Sequence, residues 1–253
     1  ISGNIANSNN DNGIYLYKCH YNNVSGNIAN SNNEEGIYLY IECDNNIVSG
    51  NIANNNHLGI SIIGNNNNIS KNIANNNDLG ISLEYSDYNN ILENIANNSQ
   101  SGIHLYSSDY NNISGNIVSN NSRGMSLSKS NSNDILENTV KNNSMYGISI
   151  FCSGRNEISQ NIIVGSNIGI YLYSYYYACT ETLMSSNEIF NNTFSGNNQD
   201  IVWYRFSDPG GGGGGEGNPI VAVGLILLVV AGVIFSLLIE YGLNKGRKTK
   251  VKK

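Results

Sequence analysis

The chain has 253 residues, among them 50 Asn, 27 Gly and 17 Tyr, with only 2 Pro and 13 % charged side chains. So much Asn and Gly excludes a helical bundle, because both residues favour turns and left-handed backbone, and the regular Ile/Leu rhythm between them excludes a solvated coil. The formal charge of −6 divides into −10 over residues 1–208, −2 over 209–240 and +6 over 241–253. An acidic body with no clustered basic face excludes a nucleic-acid partner.

From the first residues onward the chain repeats. A unit reading N-I-A-N, followed by G-I-x-L, starts at Asn4, Asn27, Asn51, Asn72, Asn94, Asn116, Asn138 and Asn161, with spacings of 21 to 24 residues. A Gly recurs in step from Gly13 and Gly36 to Gly147 and Gly169, and a degenerate ninth unit follows at Asn192, after an insertion containing Tyr175, Tyr176 and Tyr177. Pairs such as Ile14/Leu16, Ile37/Leu39, Ile81/Leu83 and Ile103/Leu105 alternate as strands do. No unit buries its few aliphatic side chains alone, but stacked units form continuous columns. A length of about 22 leaves no room for a helix beside the strands, so a β-solenoid of eight to nine coils is expected. Asn columns are expected to hydrogen-bond from coil to coil. The Gly column is expected at positive φ before each strand.

The units SGNIANSNNEEGIYLY (25–40), SKNIANNNDLGISLEYSDYNN (70–90) and SGNIVSNNSRGMSLSKSNSN (114–133) resemble right-handed parallel β-helix repeats of the pectate-lyase-like superfamily. They are most similar to its NosD-like branch of carbohydrate-binding proteins and sugar hydrolases. The resemblance covers residues 1–207 and implies an all-β, right-handed parallel β-helix. For function it implies several activities, because the superfamily holds polysaccharide lyases, glycoside hydrolases, adhesins and metal-delivery accessory proteins.

Beyond the repeats, Pro209 and the glycine run 210–215 read as a flexible linker over 208–218. Residues 219–239 carry no charge, and 21 residues at 1.5 Å each span about 31 Å, so 219–240 is expected to be one transmembrane α-helix. The basic tail 241–253 then places the C-terminus in the cytoplasm and the β-helix outside, as a single-pass cell-membrane protein. Ile1 falls inside a repeat, with no Met and no secretory signal, so the chain is expected to be the C-terminal part of a longer one.

Four Cys fall in two pairs, Cys19 with Cys43 and Cys152 with Cys179. Each pair follows the G-I-x-L strand of successive coils, and the expectation is disulfides or buried free thiols rather than zinc. Seven N-x-S/T sequons, at Asn23, Asn68, Asn97, Asn112, Asn120, Asn142 and Asn191, are candidate glycosylation sites.

Alternation that buries Ile14 and Leu16 turns Tyr15 and Tyr17 outward. The same holds for Tyr38 and Tyr40, His104 and Tyr106, and Tyr171 and Tyr173. Aromatic side chains on a flat sheet suit sugar stacking, and equally suit cross-strand packing. The best acidic set is Glu84, Asp87 and Asp109. Asp87 and Asp109 sit 22 residues apart at equivalent positions, where stacked carboxylates are candidates for a raised pKa or for Ca2+, or serve simply as turn formers. No basic residue sits at a matching outward position in those coils, Arg123 and Lys129 being a coil further on. His20, His57 and His104 do not form a column, so no metal site is expected from them.

The sequence therefore reads as a membrane-anchored extracellular β-helix, a non-catalytic stalk or adhesin that binds carbohydrate or a surface glycan through its tyrosines, with no cofactor other than Ca2+ as a candidate. The rivals are a polysaccharide lyase or glycoside hydrolase using Glu84, Asp87 and Asp109, and a NosD-like accessory subunit of a membrane complex.

Overall fold

The computed structural model describes residues 1–175, 179 and 181–206. Over them the chain winds into an all-β, right-handed parallel β-solenoid with three sheets. The first has nine strands, from Ile14–Tyr17 and Glu35–Tyr40 through Leu79–Glu84, Ser101–Tyr106 and Arg123–Ser128 to Gln199–Phe206; the second has eight short ones, from Asn23–Ser25 to Glu188–Phe190; the third has five, from Ile95–Asn97 to Thr193–Ser195. Earlier coils continue the third sheet through bridges at Ile5, Ile28, Ile52 and Ile73. The expected transmembrane helix over 219–240, the linker and the basic tail lie outside the described residues. Among the described residues no helix is long and apolar enough to cross a membrane.

Register explains why the repeat folds this way. Ile14 pairs with Ile37, Ile37 with Ile60 and Ile81 with Ile103, so identical apolar side chains stack coil on coil. Ile37, Leu39, Ile69, Ile91 and Ile113 are fully buried in one continuous core. Full burial of each aliphatic side chain contributes about 1.5–3 kcal/mol, which no isolated coil could collect.

The Asn columns take up the polar groups at the corners. Asn27 Nδ2 donates to Asn51 Oδ1 at 2.9 Å, and the chain of bonds continues through Asn72, Asn94, Asn116, Asn138 and Asn161 to Asn192. Each Oδ1 also accepts the backbone N–H of the preceding coil's Asn, as Asn116 Oδ1 does from Asn94 at 2.9 Å. A second ladder runs from Asn22 to Asn187, and a third from Asn9 through Asn32 and Asn56. The buried amides are thereby satisfied by one another.

The glycine column differs from expectation. Gly36, Gly59, Gly80 and their equivalents are not among the glycines at positive φ; those are Gly3, Gly26, Gly50, Gly115, Gly165 and Gly196, in the S-G-N corners and their variants. The column is glycine for lack of space. A Cβ on Gly36 would lie 2.7 Å from Asn56 Nδ2 and 2.7 Å from the Gly59 carbonyl oxygen, inside the third Asn ladder.

The cysteines divide. Cys152 and Cys179 form a disulfide, whereas Cys19 and Cys43 are free. The reason lies in a column of small polar residues. Ser86 N–H donates to Ser108 Oγ, Ser108 N–H to Ser130 Oγ and Ser130 N–H to Ser153 Oγ. Cys43 occupies the corresponding place earlier in the solenoid, its Sγ accepting from Cys19 N–H at 3.2 Å. Burial and the neighbouring Cys43 thiol push the Cys19 thiol up to about 12, so Cys19 is not poised as a nucleophile.

Candidate functional site: the outward face of the nine-stranded sheet

Across the register, one outward column runs Tyr15, Tyr38, Ser61, Ser82, His104, Ser126, Ser149, Tyr171. Five small or medium side chains thus form a strip between two groups of tyrosines. With strands about 4.8 Å apart, Tyr38 and Tyr171 stand roughly 29 Å from each other along the solenoid.

At one end Tyr15, Tyr17, Tyr38 and Tyr40 cluster, with ring centroids 5.7 Å apart for Tyr15–Tyr38 and 5.1 Å for Tyr38–Tyr40. Tyr15 and Tyr17 remain 49 % and 53 % exposed. At the other end Tyr171 stacks on Tyr146 at 4.5 Å and on Tyr173 at 4.8 Å, with Phe151 4.9 Å from Tyr173. That stacking corrects one expectation: Tyr171 faces outward but is only 9 % exposed, because its neighbours cover both sides of the ring. The side chains of Tyr175, Tyr176 and Tyr177 lie outside what the structure describes. Tyr106 flanks the strip midway, edge-on to Tyr85 at 5.7 Å and with Lys129 Nζ 5.6 Å from its ring centroid.

The middle of the strip carries unsatisfied polarity. Ser82 Oγ, His104 Nδ1 and Arg123 Nε are all buried without a hydrogen-bond partner. Ser82 and His104 are direct register partners, and Arg123 opens the next strand opposite Ser101. Desolvation by burial, then the Arg123 charge, hold the His104 imidazole below its ordinary value of 6.5, against a smaller opposing pull from the Ser126 main chain. The ring is therefore neutral at pH 7.

The acidic candidates serve a different purpose. Asp87 Oδ1 accepts the Asp109 N–H at 2.7 Å, and Asp109 Oδ1 accepts the Asn131 N–H at 2.6 Å. The series extends to Asp44 and Asn65 on one side and Gly154 on the other, forming a corner ladder like those of Asn. Glu84 is not part of it; it lies in register with Tyr106, on the outward face. For Ca2+ the two stacked aspartates gather no third carboxylate among the described residues. Among the described residues no three His, Cys, Asp or Glu side chains gather as a metal site would need.

The spacing of repeats does not single out Ser82, His104 and Arg123 as a group. The available signal is the same alternation that exposes the tyrosines: it puts His104 outward and brings the sheet's Ser82 and Arg123 into the coils on either side.

Comparison with known families and structures fits this architecture. The family model described as Periplasmic copper-binding protein (NosD) matches residues 62–205, more than half of the 253, and that of the Right handed beta helix region matches residues 1–95. The chain belongs to the NosD family. Comparison with curated proteins gives no match. Among solved structures it is similar to the A-module of the Azotobacter vinelandii mannuronan C-5 epimerase AlgE4, with a TM-score of 0.61, 16 % identity, 72 % of this chain and 55 % of that one covered. It is also similar to the AlgE6 A-module of the same organism, with a TM-score of 0.57, 13 % identity and coverage of 75 % and 58 %. The chain thus spans somewhat over half the length of these modules, and at such identity the likeness is one of fold.

The family description names copper, and the donors of this chain do not fit it. His20 Nδ1 lies 3.8 Å from Asp44 Oδ2 and His57 Nδ1 2.8 Å from Asp78 Oδ2, each a two-residue pair. Met125 and Met184 are buried, 0 % and 1 % exposed, Cys43 is fully buried and Cys19 half-buried, and the exposed Met145 is a single thioether. Soft sulfur and imidazole donors therefore do not converge among the described residues.

Proposed function

We propose that this NosD-family β-helix is a non-catalytic surface module that binds a linear polysaccharide lengthwise along the outward face of its nine-stranded sheet. The carrying observation is the strip of hydroxyl-bearing and imidazole side chains between two tyrosine clusters. Aromatic faces offer apolar contact to sugar rings, and the small side chains between them leave room for an extended chain to lie flat. In this reading residues 219–240 hold the module at a cell membrane with the solenoid outside, a placement supported by the uncharged span, by the basic tail after it and by the Cys152–Cys179 disulfide, which suits an oxidising compartment.

Binding without turnover is favoured because two of the three carboxylates proposed for catalysis, Asp87 and Asp109, are occupied with backbone N–H groups of the next coil. The test is incubation of the whole chain, in detergent micelles, with a panel of neutral and acidic polysaccharides. Retention on a glycan without new reducing or unsaturated ends is the expected result. Release of product would replace the proposal with an enzymatic one, and absence of retention across the panel would leave a structural stalk. Co-purification of a stoichiometric membrane partner would favour the accessory-subunit reading instead.

A further inference from the structure

The third sheet turns its larger side chains outward. In successive N-I-A-N units Ala29, Ala53, Ala74, Ala96 and Val118 are the inward residues, 0 % exposed, and the isoleucine before each lies on the outer face. These isoleucines are in register from coil to coil, Ile5 with Ile28, Ile28 with Ile52 and Ile95 with Ile117, and the column continues through Thr139 to Ile162. Ile117 and Ile162 are 46 % and 43 % exposed although each has a coil on either side. The eight-stranded sheet turns mostly Asn, Asp and Glu outward and the nine-stranded one Tyr, Ser and His, so the aliphatic stripe sets this face apart. A contiguous exposed apolar surface marks a site of interaction.

The edges of the stripe show what fits it. Two residues after the isoleucines stand Asn30, Asn54, Asn75 and Asn97, whose Oδ1 atoms accept the N–H of the next coil and whose Nδ2 donors make no bond among the described residues. Two residues before them lie the corners, where Gly26 and Gly50 leave open space: a Cβ there meets nothing within 4 Å. In the coil of Thr139 the two edges carry opposite charges, Glu137 on the corner side and Lys141 on the other. Both are exposed, and neither belongs to the ion pairs of the described residues, which are Lys18–Glu42, His20–Asp44, His57–Asp78 and Lys71–Glu93.

We propose that the outer face of the third sheet is the interface of a homodimer, formed with a second copy of this chain about a twofold axis parallel to the solenoid axis. About such an axis each coil faces the same coil of the second copy with its strand reversed, so the isoleucine column meets itself and the Asn edge of one copy meets the corner edge of the other. Asn30 and Asn54 then approach the main chain at Gly26 and Gly50 of the second copy, where no side chain intervenes. Lys141 comes opposite Glu137 of the second copy, and symmetry repeats the contact, giving two ion pairs that a single chain does not make. Periodicity supplies the fit, because identical side chains at a strand spacing of about 4.8 Å interdigitate along the whole stripe. Eight coils give a face of about 38 Å by about 13 Å, hence roughly 1,000 Å2 over both copies, the lower bound of a specific interface. The nine-stranded sheet stays uncovered, so the dimer and glycan binding stand or fall separately.

The experiment is sedimentation velocity of the whole chain in density-matched detergent micelles, which reads the mass of the protein alone. A monomer–dimer equilibrium is expected, its dissociation constant raised about tenfold or more by Ile117→Glu and by Lys141→Glu, and largely restored when Glu137→Lys accompanies Lys141→Glu. Because Ile117 faces Ile117 of the second copy, Ile117→Cys is expected to give a disulfide-linked dimer on exchange with oxidised glutathione, whereas Tyr17→Cys on the nine-stranded sheet is not. Unchanged circular dichroism and melting temperature of each variant exclude loss of folding. A monomer at every concentration tested would overturn the proposal. So would a dimer that Ile117→Glu leaves intact, since its contact then lies elsewhere in the chain, and so would equal cross-linking of Ile117→Cys and Tyr17→Cys.

Discussion

At the residue scale, the fold depends on side chains that satisfy one another rather than on water. Asn116 accepts from the Asn94 N–H and side chain at 2.9 and 3.0 Å, and donates to the Ile91 carbonyl at 2.8 Å and to Asn138 Oδ1 at 3.0 Å. Asn116→Ala strands buried partners on both neighbouring coils, so it is expected to cost about 2–4 kcal/mol, read as a lower midpoint in urea with the slope unchanged. Gly36→Ala is expected to cost about 1–3 kcal/mol, because the added methyl meets Asn56 Nδ2 and the Gly59 carbonyl at 2.7 Å. A Gly115→Ala change, by contrast, meets open space within 3.5 Å and is opposed by its φ of 66° alone. His104 adds a pH dependence. Its folded pKa lies below the ordinary 6.5, so the folded state prefers the neutral ring. The resulting stability is complete above about pH 6.5 and is lost as the pH falls through that value towards the lower folded one. Thermal melts from pH 7.5 to 5 are expected to show a steeper fall for the native chain than for His104→Gln; parallel curves would contradict it. Glu35 and Asp134, whose carboxyls burial pushes up, act in the opposite sense and are common to both proteins.

At the element scale, two cysteine pairs with nearly the same spacing, 24 and 27 residues, met different fates. Cys43 stands in the column occupied elsewhere by Ser86, Ser108, Ser130 and Ser153, where the side chain caps a backbone N–H of the preceding coil. A thiol can serve there without bonding to its neighbour. Native protein is therefore expected to take up no iodoacetamide at pH 8, two equivalents after unfolding without reductant, and four after reduction. Labelling of Cys19 in the native state would show that its raised pKa and partial burial do not protect it. The Cys152–Cys179 bond closes a loop of 27 residues, and its reduction is expected to lower stability by up to about 3 kcal/mol.

At the scale of the whole molecule, each coil touches only the coils before and after it, so the solenoid behaves as a one-dimensional stack. Leu79 and Ser101 are in register, as are Ile81 and Ile103. Deleting residues 80–101 joins Leu79 to Gly102 and should leave every ladder continuous, with Asn72 passed on to Asn116. The shortened chain is expected to keep a β-sheet circular dichroism spectrum and a single cooperative melt. A molten or aggregated product would show that the coils are not interchangeable.

The sequence by itself determined the repeat, the inward Ile and Leu columns, the coil-to-coil Asn ladders and the outward tyrosines. Each follows from periodicity, and a periodic pattern has one efficient way to bury its apolar positions. What it left open concerned individual residues that depart from the repeat. Tyr171 looked exposed until Tyr146 and Tyr173 closed over it, and the glycine column looked like a left-handed corner until the Asn ladder claimed the space beside it. Asp87 and Asp109 looked like a paired acid site until the next coil's backbone took their oxygens. Ser82, His104 and Arg123 share no motif and are 22 and 19 residues apart in sequence. Only the stacking of coils places them on successive strands of one sheet, where Ser82 Oγ, His104 Nδ1 and Arg123 Nε are buried without a hydrogen-bond partner.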